Sequence, residues 1–159
     1  MPAPRFSVAP INGSPGRKLY QAHTRMRQQL TNRFHGSGHA ITTEAWAMLS
    51  QLWERDGLSQ VELGRRLEKD GPFTSRLIDG LEAQGYVQRR MSGDDRRSRV
   101  IALTAKGRSS RTALTKIAMR SLADAFDGVP PQDLAAFIRT LDHIIHHIDN
   151  AAHPSNRPR

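Results

Sequence analysis

With 159 residues, a formal net charge of +9 and no cysteine, the chain can form one compact domain with a helical extension. Disulfides, thiol redox sensing and thiolate metal sites are excluded. No apolar run approaches the roughly 18 residues of a membrane-spanning helix, and the first fifteen residues lack the basic flank and apolar segment of a secretory leader, so a soluble cytoplasmic protein is expected. The charge is uneven. Residues 1–42 carry six Lys/Arg and no acid, residues 43–104 ten of each, and residues 105–159 eight against five. A basic excess at the two ends points to a polyanionic partner, and the balanced middle must use its few cations by placement.

Pro2, Pro4, Pro10, Gly13, Pro15 and Gly16 make residues 1–16 a flexible arm. From Arg17 to Phe34 the spacing of Tyr20, His23, Met26, Leu30 and Phe34 predicts a helix, ended by Gly36-Ser37-Gly38. Thr43 offers the next N-cap. Trp46, Leu49, Leu52 and Trp53 then share a face up to Asp56-Gly57. Ser59-Gln60-Val61-Glu62 has the capping-box pattern and starts a short helix that should bury Val61, Leu63 and Leu67. Asp70-Gly71 reads as a turn, with Pro72 first in a helix that runs to Gln84 on Leu77, Ile78 and Leu81 and stops at Gly85.

The period then falls to two. Tyr86–Met91 and Ser98–Leu103 read as strands joined by a turn at Ser92–Asp95. Thr104 caps one long helix to about Phe126, striped with Leu114, Ile117, Ala118, Leu122 and Ala125. Asp127-Gly128 and Pro130-Pro131 break it. A last helix, Pro131 to about Asn150, carries Leu134, Phe137, Ile138, Leu141, Ile144, Ile145 and Ile148. The tail 151–159 is polar and expected to be disordered.

Two short helices across a tight turn, followed by a hairpin, make a winged helix-turn-helix. The fold class is mainly α with a small β-hairpin wing, flanked by N- and C-terminal dimerisation helices. An α-helix fits the DNA major groove, and its first turns reach base edges. Here those turns present Thr74, Ser75 and Arg76, with Asp79 a turn later. Arg76 can give guanine two parallel hydrogen bonds. Ser59, Gln60 and Pro72 flank this reading helix. The hairpin supplies Arg89, Arg90, Arg96, Arg97 and Arg99, placed to reach an adjacent minor groove, whose negative potential attracts arginine. Asp94 or Asp95 can fix one arginine's direction by pairing with it.

The stretch Leu58–Gly107 resembles the MarR family of bacterial regulators, closest to its SlyA-like branch. The matching residues read LSQVELGRRL, DGPFTSRLIDGLEAQGYVQRR and GDDRRSRVIALTAKG. The resemblance implies a regulator, most often a repressor, that binds pseudo-palindromic double-stranded DNA as a homodimer. It implies Arg97 in the minor groove with Asp95 as its brace, and Arg76 at the major groove. The chain departs from the family pattern at Phe73 and Thr74, where a small polar and an apolar residue are usual. Either the helix starts slightly rotated, or Phe73 packs and Thr74 is partly exposed. The expected layout is therefore an arm (1–16), a dimerisation helix and linker (17–42), the DNA-binding domain (43–104), dimerisation helices (105–150) and a tail (151–159), acting on the nucleoid.

The candidate DNA contacts are thus Ser59, Gln60, Pro72, Thr74, Ser75, Arg76, Asp79, Arg89, Asp95, Arg96, Arg97 and Arg99. The resemblance also implies a small aromatic or anionic effector between dimer helices and DNA-binding lobes, where Tyr20, His23, Arg27, His39, Trp46 and Trp53 could line a cleft. The competing reading keeps both tryptophans as core. His143, His146 and His147 share a helix face, but no metal and no cofactor is expected. No nucleophile elbow, phosphate-binding loop or zinc-protease motif is present, so no enzyme is expected. A sequence-tolerant architectural DNA binder is the alternative, favoured by the acid-free first 42 residues.

Overall fold

A computed structural model describes residues 13–91 and 99–152. The chain divides into two compact units between Ala123 and Asp124. The first helix, α1 (Pro15–Gly36), begins ahead of expectation because Ser14 accepts a hydrogen bond from the Arg17 amide and Pro15 suits the opening turn. The helix α2 (Thr43–Glu54) is capped by Thr42, whose hydroxyl accepts from Ala45 N at 3.2 Å, and not by Thr43. The Thr43 hydroxyl turns to α1 instead, donating to the Arg27 carbonyl and lying 3.1 Å from the Thr31 hydroxyl.

A two-residue strand, β1 (Leu58–Ser59), precedes the short helix α3 (Gln60–Leu67) and the helix α4 (Gly71–Ala83). The hairpin follows as β2 (Val87–Met91) and β3 (Arg99–Leu103). The sheet is antiparallel with order β1-β3-β2, Leu58 opposite Ile101 and Arg89 also opposite Ile101 from the other side. The hairpin was expected; β1 was not, since two residues carry no alternation to read.

Val61 is 82% exposed, against expectation. It lies two positions from buried Leu63, about 200° around a helix, so the two cannot share a face. The expected single helix after Thr104 is two: α5 (Ala105–Ser109) and α6 (Arg111–Ala125). At the break the Gly107 carbonyl accepts from the Trp53 indole at 2.9 Å and from the Ser110 hydroxyl at 2.9 Å, side-chain donors that compete with a helical amide. Gly107 also has to be glycine. A Cβ there would collide with the Tyr86 carbonyl oxygen.

The core gathers Phe34, Ile41, Met48, Leu49, Leu52, Leu63, Ile78, Leu81, Ile101 and Leu114, all essentially without solvent contact. Trp46 and Trp53 pack at its edge. The last helix, α7 (Pro131–Ala152), belongs to the second unit, where the Phe126 and Phe137 rings sit 6.5 Å apart. None of its residues from 131 to 151 is buried. No described helix is long and apolar enough to cross a membrane. The expected arm up to residue 12 and the tail from 153 lie outside the described residues.

Candidate nucleic-acid interface

The reading helix is fixed from below by its own first turn. Asp70, not Gly71, opens it: the Asp70 carboxylate accepts from Phe73 N at 2.7 Å, which puts Gly71 and Pro72 in the first turn. The preceding reversal is made by Glu68, left-handed at φ 53°. Ser59 caps α3 as its sequence pattern predicts, accepting from Glu62 N at 3.1 Å. The Glu62 carboxylate, however, goes to Arg65 and Arg66, whose guanidinium groups hold it well below the usual range, at about 2, with Arg65 the larger cause.

Thr74 does not face outward. It is fully buried, and its hydroxyl donates to the Asp70 carbonyl at 2.8 Å. Gly64 of α3 lets it in, since a Cβ at 64 would lie 3.1 Å from the Thr74 hydroxyl oxygen. Thr74 therefore takes the inward place that an apolar residue usually holds, and the two alternatives offered from sequence are both replaced. Phe73 is half-buried, with the Lys69 ammonium 5.7 Å and the Arg76 guanidinium 6.0 Å from its ring centre. A hydroxyl bonded inside the core cannot read a base, so Thr74 leaves the candidate set.

Of the other candidates, Pro72 and Arg76 are exposed and Ser75 half-exposed, standing at i, i+4 and i+3 around one turn of the helix. Among the described residues Arg76 makes no ion pair, so its fork is open. Gln60 reaches across to the Gly71 carbonyl at 3.5 Å, and Ser59 is occupied as a cap. Arg99 is exposed at the start of β3. Asp95, Arg96 and Arg97 lie outside the described residues.

Arg89 differs from the other arginines. Its guanidinium bonds Asp79 at 2.5 Å and also Glu82, and its amide donates to Glu82 at 2.9 Å. Those bonds, with Asp79 first, raise its already high pKa. Strand alternation could have found this pairing, because Arg89 shares a face with buried Val87. The same alternation turns Arg90 outward, where it is exposed.

The expected effector cleft is partly present. A cavity of about 330 Å³ between α1, α2 and α6 is lined by His23, Arg27 and Trp46, together with Met26, Leu30 and Leu122. Tyr20, His39 and Trp53 are elsewhere. His39 lies 3.1 Å from the Tyr86 hydroxyl, and Trp53 is bound to Gly107. Arg27 is paired with Glu44, and the Trp46 indole N–H is buried with no partner among the described residues. No group of three described side chains could hold a metal ion.

A model of the MarR family matches residues 41–98. The transcriptional regulator PA3341, known from a crystal structure, is 31% identical over 85% of this chain and 98% of its own, with a TM-score of 0.71. The chain belongs to the MarR family. The regulator TtmR of Methylorubrum extorquens is 41% identical over 70 residues, covering 44% of this MarR-family chain. The match spans only 36% of that relative's length. The transcriptional repressor CouR, solved bound to a 23-mer DNA duplex, is 25% identical with a TM-score of 0.73 over 83% of this chain and 92% of its own. These relatives are transcriptional regulators.

Proposed function

We propose that this MarR-family chain is a transcriptional repressor that binds pseudo-palindromic double-stranded DNA as a homodimer. The observation that carries the reading is α4 itself: a helix anchored by Asp70, Thr74 and Ile78 that leaves Ser75 and an unpaired Arg76 outward beside the hairpin. Arg76 would read a base edge in the major groove. Arg97 would enter the minor groove with Asp95 holding it, a role that rests on the family resemblance. Two recognition helices related by a two-fold axis would meet half-sites about 34 Å apart. The exposed apolar stripe of α7 supports the dimer. The DNA held by CouR supports the ligand class.

The cavity supports an aromatic or anionic effector. Trp46 offers a stacking wall, and an anion would have to compete with Glu44 for Arg27. Occupancy would act by shifting the balance between DNA-compatible and incompatible arrangements. Salicylate-type anions are expected to quench tryptophan fluorescence and weaken DNA binding; failure of both discards the effector.

The test is fluorescence anisotropy at near-physiological salt, comparing DNA upstream of the protein's own gene with a scrambled duplex. A preference of roughly a thousandfold or more supports a sequence-specific regulator. Equal binding with a steep salt dependence favours the sequence-tolerant architectural protein instead, as the basic first 42 residues would allow. Arg97→Ala should weaken binding to both duplexes, whereas Arg76→Ala should mainly erase the preference.

A further inference from the structure

Two carboxylates and one arginine meet where the reading helix faces the first wing strand. Asp79 lies on the outward side of α4, one turn after Arg76, with 60% of its side chain exposed. Glu82 follows three residues later. An uncompensated carboxylate at Asp79 would stand close to where DNA phosphates must come and would repel them. Arg89 of β2 bonds both carboxylates, and its own amide adds a second bond to Glu82. Its side chain is only 25% exposed, so the guanidinium is spent on these partners.

We infer that Arg89 is a positioning residue for DNA recognition. It ties the first wing strand to the reading helix and screens Asp79 and Glu82 from phosphate, without touching DNA itself. This rests on the proposed DNA-binding function. The chemistry requires arginine. A planar fork can bond two carboxylates at once in fixed directions, while lysine is a flexible point charge. A phosphate contact makes the opposite demand, since lysine serves there nearly as well.

The discriminating variants are Arg89→Lys, Arg89→Met and Arg89→Met combined with Asp79→Asn, all in the full chain. Binding to the preferred duplex is measured by anisotropy over a series of salt concentrations. We expect Arg89→Met to weaken binding about tenfold or more. Arg89→Lys should suffer most of the same loss although it keeps the charge, and Asp79→Asn should restore much of it. The salt slope should stay near the parent's, because no phosphate contact has gone. Parental affinity in Arg89→Lys, or a slope reduced by about one for each subunit, would overturn the inference. Hydrogen exchange reads the brace without DNA. The β2 amides should exchange faster in Arg89→Lys and Arg89→Met than in the parent, and unchanged exchange in both also overturns it. If the parent itself prefers no duplex, the proposed function fails instead, and the exchange result still decides whether the brace exists.

Discussion

The reading helix α4 and the last helix α7 carry similar apolar spacing and end differently. α4 sends Thr74, Ile78 and Leu81 inward, and all three are buried within its own unit. α7 has 22 residues and a longer stripe, yet Phe137, Ile138, Ile144, Ile145 and Ile148 all stay exposed. A stripe states that a face must be covered; it does not state by whom. Where the same chain covers it, the outer face is held rigidly, as the proposed recognition role of α4 requires. Where the chain leaves it open, as on α7, the exposed area is what the proposed homodimer would cover.

The largest effect should come from closing off that second molecule. In the proposed homodimer each α7 isoleucine would occur twice across the two-fold axis, and burying one is worth about 1.5–3 kcal/mol, so Ile145→Glu should weaken dimerisation at least a hundredfold. Sedimentation equilibrium measures this. An undiminished dimer would assign the stripe no role in assembly. Next comes the first unit's own packing. Gly107→Ala sets a methyl against the Tyr86 carbonyl, and overpacking of this kind destabilises by about 1–3 kcal/mol. A thermal melt lowered by several degrees is expected, and an unchanged melt would show that β2 and α5 can part freely.

The two faces of α4 give the sharper contrast. Arg76→Ala should lower discrimination between duplexes by about 1–3 kcal/mol while leaving the melt unchanged. Thr74→Val should do the reverse. It removes one buried hydroxyl whose acceptor, the Asp70 carbonyl, still receives the Thr74 amide, so stability should fall by about 1 kcal/mol or less and discrimination should hold. A loss of discrimination in Thr74→Val would return that residue to the outer face.

Much of this was legible in the sequence because the signals are local. The Ser59 cap, Pro72 in the first turn, Gly85 at a helix end with φ 74° and the hairpin all depend on neighbours a few residues away. What escaped depends on partners far along the chain. β1 exists only because Leu58 and Ser59 pair with Ile101 and Val100. Trp53 is committed to Gly107, 54 residues on, so it is framework, while Trp46 lines a cavity. Two placements could have been read from spacing alone. Thr74 stands four residues before Ile78 and seven before Leu81, which is the inward spacing, and its hydroxyl alone argued for the surface. Arg89 stands two residues after Val87, on the strand's inward side, where a carboxylate partner could have been expected.

The smallest expected effect concerns how α3 supports α4 as the pH falls. Arg65 first and Arg66 second hold the Glu62 carboxyl well below its ordinary range, at about 2. In the unfolded chain Glu62 titrates near the ordinary carboxylate value. A depressed folded-state pKa means that the contribution is fully present above that ordinary value and is lost as the pH falls through about 2. The group is solvated, so the contribution is small and sensitive to salt. A slightly lower urea midpoint is expected for Glu62→Gln than for the parent at pH 6, with the gap shrinking below pH 4 or in 1 M salt. The Ser59 cap should keep α3 folded in both proteins, because its bond to the Glu62 amide does not involve the carboxylate. A gap that persists unchanged at pH 2 would mean that the side chain acts through packing, and that charge on α3 does not help hold the reading helix.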